Sequence, residues 1–243
     1  MWTLFKKEIS GFFSTLTGYV VIAVFLLANA LFIWLLRNPL NVVENGYATL
    51  DSLFAMAPWI FLFLVPAITM RMISEEKRTG TMDLLFTRPV SEIQIIFAKF
   101  LASWILVLLS LLPTLVWVWS VCRLGSPPGN LDMGGTWGSY IGLLFLGGIY
   151  SSIGIFASSL TENQIVAFIV AVALSFLMYT GFQFVGDTVG SGKAALLISR
   201  TGIASHYSSM SRGVLDSRDI LYFVMVMALF VLGTRTVLQS RNW

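Results

Sequence analysis

Charge is scarce in this sequence. Asp, Glu, Lys and Arg make up 11% of its 243 residues, less than half of the roughly 25% that soluble domains carry. Hydrophobic residues make up 57%, and mean hydropathy is +0.83. This argues against a water-soluble globular fold, a disordered chain and a nucleic-acid binder. A net charge of +3 is too small to indicate a polyanionic partner and reads better as membrane topology. Cysteine and histidine are almost missing. Cys122, alone, forms no internal disulfide, and His206, alone, seeds no metal cluster. Nucleotide and protease signatures are missing too. There is no HExxH motif, and no pair of aspartates lies in an apolar run. Gly190-Ser191-Gly192-Lys193 superficially resembles a phosphate loop, but the full motif needs Gly at 187 and Ser or Thr at 194, where Asp187 and Ala194 stand. The expectation is a chain that is not an enzyme and binds no cofactor directly.

What the sequence has is long apolar runs. A membrane-spanning helix needs about 20 apolar residues, and six such stretches are present, at about 18–36, 53–70, 100–121, 137–159, 165–185 and 220–237. Pro58, Pro66 and Pro113 fall inside them. Each removes a helical hydrogen bond, which membrane helices tolerate when neighbours satisfy the freed carbonyl. The expected fold class is an all-α integral membrane protein of six transmembrane helices forming one domain over 1–243. An even number of spans puts both termini on one side. The segments sharing that side hold nine of the fifteen Lys and Arg: Lys6, Lys7, Arg71, Lys77, Arg78, Arg88, Lys99, Arg235 and Arg241. The excess of positive charge places both termini in the cytoplasm.

The spans have no ionisable residue at their centres. A charge there costs about 2.5–3.5 kcal/mol on insertion scales and, when kept, marks an ion or proton path. Its absence argues against a proton-driven carrier, a pump or a voltage sensor. The available polar side chains are Asn29, Thr114, Ser151, Ser152, Ser175, Thr180 and Gln183, which read as interhelical hydrogen bonding more readily than as the lining of a channel. His206, in the outer segment without a span serine beside it, reads as a structural residue rather than a catalytic one.

Two polar regions remain. In residues 1–16, Phe5, Ile9 and Phe12 recur at helical spacing while Lys6 and Lys7 fall largely on the other side. This suits an amphipathic helix in the membrane interface; a frayed lead-in is the alternative. Residues 71–99 are the most polar stretch. Arg71 to Arg78 continue the second helix out of the membrane, Gly80 stops it, and Thr81 caps a new short helix with Asp83 near its start. Met82, Leu84, Leu85 and Phe86 give that short helix an apolar surface. Arg88-Pro89 ends it, and Ser91 with Gln94 forms a capping box for the next helix. The apolar surface either docks on another protein or dips into the lipid interface.

The run Glu75-Glu76-Lys77-Arg78-Thr79-Gly80-Thr81-Met82-Asp83-Leu84-Leu85, followed by Arg88-Pro89-Val90, resembles the loop of ABC-2 type permeases, the membrane subunits of ATP-binding-cassette transporters. Those commonly read EE+xxGTxExLL and then proline; Asp83 stands where glutamate is usual. The segment SHYSSMSRGVLDSRDILYF at 205–223 and the start FKKEISGFF are similar as well. Within the group, gliding-motility-associated permeases are the nearest resemblance, with permeases of nitrous-oxide-reductase maturation as relatives.

The resemblance implies an ABC-2, type V exporter-like permease fold in a bacterial inner membrane. It implies a coupling helix within Glu75–Phe86 that docks on a separate ATPase, and a connecting helix carrying Phe5, Lys6, Lys7, Ile9 and Phe12. An outer re-entrant segment at 186–219, with His206, Tyr207, Arg212, Asp216, Arg218 and Asp219, would face a periplasmic or membrane accessory protein. ATP and Mg would sit on two ATPase copies, paired with two permease-type subunits, this chain and a second that is either identical or a paralogue. The lipid bilayer is the remaining partner, and no nucleic acid is involved.

Other features agree with this picture. Ile203, Tyr207, Met210 and Val214 repeat at helical spacing, so part of 186–219 forms an amphipathic outer helix. Asp216 or Ser217 caps the last span. Gly138/Gly142, Gly147/Ser151, Gly148/Ser152 and Gly154/Ser158 are small residues four apart, which permit close helix approach, either within the chain or to a second protomer. The expected function is export or mechanical work on a periplasmic partner, driven by the ATPase. An ATPase-independent channel or secondary carrier, and a membrane scaffold for an extracytoplasmic protein, are the alternatives.

Overall fold

A computed structural model of the chain describes residues 1–82, 91–127, 129–190 and 192–240. Among these residues the secondary structure is helical throughout. Helix α1 (Trp2–Ser14) precedes α2 (Leu16–Leu35), whose last turn, Leu31–Leu35, is π-helical. A short α3 (Val42–Asn45) leads to α4 (Asp51–Arg78). Then come α5 (Glu92–Leu124), α6 (Met133–Leu160) and α7 (Gln164–Thr188), the last with a second π turn at Leu177–Gly181. Two short helices, α8 (Lys193–Arg200) and α9 (Ile203–Ser211), precede α10 (Ser217–Gln239).

Helices α2, α4, α5, α6, α7 and α10 are each long and apolar enough to cross a membrane. At about 1.5 Å per residue, 28-residue α4 is ~42 Å long, more than the ~30 Å hydrocarbon layer requires. The surplus carries its charged last turns beyond the apolar run. The capping box at Ser91 and Gln94 starts α5, and the Asp216 carboxylate caps α10 by accepting from the Arg218 N–H at 3.0 Å. Gly80, at φ +70°, follows the end of α4 in the left-handed conformation that terminates helices.

Helix α6 is the centre. Its apolar window is 78% buried within the chain, against 28% for α2, 28% for α7 and 22% for α10. It packs on α4, α10, α7, α9 and α5, and its small residues serve these contacts inside one chain. A side chain on Gly154 would collide with Thr69 of α4, on Gly147 with Val107 of α5, and on Gly148 with Met227 of α10. Gly138 lies against the Met210 carbonyl and Gly142 against the Tyr207 ring, both in α9. The small-residue stripe therefore seats four neighbours of the same protomer.

Most of the polar side chains within the spans turn back on their own helix. Asn29 Nδ2 donates to the Phe25 carbonyl at 2.9 Å, Ser152 to Ile149 at 2.8 Å and Thr180 to Phe176 at 2.9 Å. Thr114 joins α5 to α6 through the Tyr140 hydroxyl, 2.8 Å away. The reason is local: in a helix the carbonyl three or four residues back is the nearest acceptor, reached without reorganising a neighbour. The hydroxyls of Ser151 and Ser175 are buried without a partner among the described residues, and Gln183 is exposed.

Candidate functional site

The end of the bundle that carries the N-terminus brings together α1, the last turns of α4 and the first turns of α5. Helix α1 turns Phe12 into the core and half-buries Phe5 and Ile9, while Lys6 and Lys7 stay exposed. The Lys6 ammonium lies over the Trp2 ring, 5.5 Å from its centroid. Arg71 of α4 lies over Phe12, 5.4 Å from its ring centre, which pins α1 against α4 by a cation–π contact.

Between these helices sits Lys99, in the second turn of α5. Its side chain is only 1% exposed. The ammonium is 2.9 Å from Glu8 Oε1 of α1 and 2.8 Å from Glu76 Oε1 of α4. One buried cation thus ties three helices. The two carboxylates are themselves largely covered, at 14% and 15% side-chain exposure, and Glu76 Oε2 is buried with no partner among the described residues. Burying such charges is costly, and removing one member of a buried pair strands the other, at about 3–5 kcal/mol. A cleft of about 320 Å³ adjoins the junction, bordered by Lys7, Gly11, Arg71 and Glu75.

Helix α4 is also fastened to α6 here. Ser158 Oγ of α6 accepts from the backbone N–H groups of Ile73 (3.1 Å) and Ser74 (3.0 Å) and donates to the Met70 carbonyl at 2.8 Å. The Lys77 ammonium donates to the Ser159 carbonyl at the end of α6, where an unpaired helix carbonyl and the negative end of the macrodipole both favour a cation. Thr79 Oγ1 donates to the Glu75 carbonyl at 2.8 Å and lies 2.9 Å from Thr81 Oγ1, closing the helix end.

The residues expected to dock a partner therefore divide. Glu75, Arg78, Thr79, Gly80 and Thr81 are exposed. Glu76 and Lys77 are turned inward as tethers, and Met82 is buried at 1% exposure. Asp83, Leu84, Leu85 and Phe86 lie outside the described residues. Sequence reasoning missed Glu8 and Lys99. Each had a signal: Glu8 shares a helix face with Phe5 and Phe12, and Lys99 stands three and four residues after Ile96 and Ile95, inside an apolar stripe.

At the opposite end, α9 is a wedge. Its Tyr207 hydroxyl donates to the Phe54 carbonyl of α4 at 2.7 Å. That carbonyl is the one orphaned by Pro58, which lacks the N–H four residues on. Burial, and then the neighbouring Tyr179, push the Tyr207 hydroxyl well above its ordinary pKa, so it stays a proton donor. His206 Nδ1 lies 2.6 Å from Asp219 Oδ1 of α10, and the imidazole stacks on Tyr222 at 4.0 Å. Tyr222 in turn donates to the Thr201 carbonyl at 2.7 Å. Consecutive residues of α9 thus anchor α4 and α10. Arg212, Asp216 and Arg218 are exposed around this wedge. Val214, placed by its spacing on the same helix, lies past the helix end and is 57% exposed, because the chain turns at Gly213 with φ +79°.

Residues 6–199 match the family model described as ABC-2 family transporter protein. No curated protein sequence matches the chain.

Proposed function

The chain belongs to the ABC-2 transporter family and is its multi-pass membrane permease subunit; from this premise we propose that it is driven by a separate ATP-binding-cassette ATPase docked at the end of α4. The observation that carries the reading is the division of that helix end. Glu75, Arg78, Thr79, Gly80 and Thr81 face outward, while Glu76 and Lys77 fasten the same turns to α5, α1 and α6. A surface that must transmit a push needs exposed contacts on a rigidly held element, and this turn supplies both. In this reading the termini and the end of α4 are cytoplasmic, in a bacterial inner membrane. ATP and Mg are bound by two ATPase copies beneath two permease-type subunits, and α1 is the connecting helix. The wedge at α9, with Arg212, Asp216 and Arg218 around it, faces the periplasm and an accessory protein. The work done is export or force on that partner; a gliding-motility role rests on the likeness of residues 71–90 and 205–223.

The test is co-purification. A tagged native chain is expected to bring an ATP-binding-cassette ATPase out of detergent-solubilised membranes, identified by mass spectrometry. Glu75→Lys combined with Arg78→Glu reverses two exposed charges that make no tether. This variant is expected to reach the membrane in equal amount and to retain at most a tenth of the ATPase. Undiminished retention overturns the docking site.

A further inference from the structure

We infer that Lys99 is a positioning residue: it fixes α1 to the end of α4 so that the two move as one body when the docked partner pushes on α4. The inference deepens the reading above, and only its account of what does the pushing rests on that reading.

Three observations carry it. First, besides the apolar packing of Phe5, Ile9 and Phe12, α1 is held by two charged contacts of unlike kind, the Arg71–Phe12 cation–π contact and the Lys99 junction, and the second also reaches α5. Second, the junction is built to resist separation. A single, almost fully buried ammonium serves two carboxylates, so withdrawing α1 takes Glu8 away and removes half of what offsets the desolvation of that cation. Third, Glu76 lies on the turn between exposed Glu75 and exposed Arg78. Any displacement of that turn is passed to Lys99 within one side chain, and through Glu8 to α1. The Coulomb link needs no tight packing, so it holds through small changes of helix angle that would open an apolar contact.

The test places spin labels at Lys6→Cys on α1 and Phe63→Cys on α4, both exposed and neither on the docking surface, in a Cys122→Ser background, with the full chain in lipid nanodiscs. Pulsed dipolar spectroscopy reads the distance distribution, first on the chain alone and then with the co-purified ATPase and a non-hydrolysable ATP analogue. With Lys99 present, one narrow distribution is expected in both conditions. Lys99→Met is expected to at least double its width. Lys99→Arg, and the full exchange of charge, Lys99→Glu with both Glu8→Lys and Glu76→Lys, are expected to restore it, which a purely steric role would not produce. An unchanged width in Lys99→Met, or no recovery in the exchange, overturns the inference. Should no ATPase associate with the native chain, the functional reading fails while the measurement on the chain alone still decides the junction.

Discussion

The two ends of the bundle are fastened by different chemistry. At the end bearing the N-terminus, α1, α4 and α5 meet on a buried ion triad, with Lys99 between Glu8 and Glu76. At the other end, α4, α6 and α10 meet on α9 through a phenol, an imidazole–carboxylate pair and glycine contacts, with Tyr207 on Phe54, His206 on Asp219, and Gly138 and Gly142 beneath. Ionic links are long-ranged and forgiving of angle, whereas directed hydrogen bonds from a phenol or an imidazole and glycine contacts are short-ranged and fix a geometry. The comparison teaches that the charged end is suited to carry displacement and the wedged end to hold the spans as a fixed fulcrum.

Stability measurements put this contrast to the test. Lys99→Ala strands two buried carboxylates and is expected to cost about 3–5 kcal/mol, read as the largest fall in thermal midpoint of the purified protein in detergent. At the wedge, Tyr207→Phe leaves the carbonyl orphaned by Pro58 without a donor and is expected to cost about 1–3 kcal/mol. Were it to match Lys99→Ala, the two ends would not differ in kind. Asp216→Ala removes an exposed cap of α10 and is expected to cost ~1 kcal/mol, visible as faster amide exchange at Arg218 and Asp219. Glu75→Gln, one residue from Glu76 but exposed, is expected to leave the midpoint unchanged; a loss comparable with Glu76→Gln would erase the division between docking and tethering residues.

How much of this was legible in the sequence differs between the two ends. The six spans were, because apolar runs of about 20 residues have no other stable home. So were the helix stop at Gly80, the capping box at Ser91 and the cap at Asp216, since each depends on a residue type at a fixed offset. Helices α4 and α5 begin or end well outside their apolar runs, at Arg78 and Glu92, because charged turns extend a helix into water without changing hydropathy inside the membrane. The partners of single side chains were not legible. Glu8, Glu76 and Lys99 lie far apart in sequence, and only the packing of α1 and α4 on α5 makes them neighbours. The same holds for Tyr207: a proline announces an orphaned carbonyl, but not which hydroxyl will reach it.

Sidedness is the claim on which the rest depends, and thiol labelling in intact cells tests it most directly. In a Cys122→Ser background, Thr79→Cys marks the end of α4 and Arg212→Cys marks the wedge. With a membrane-impermeant maleimide, the account predicts that Arg212→Cys is labelled in intact cells and Thr79→Cys only after permeabilisation. Labelling of Thr79→Cys from outside intact cells would contradict it.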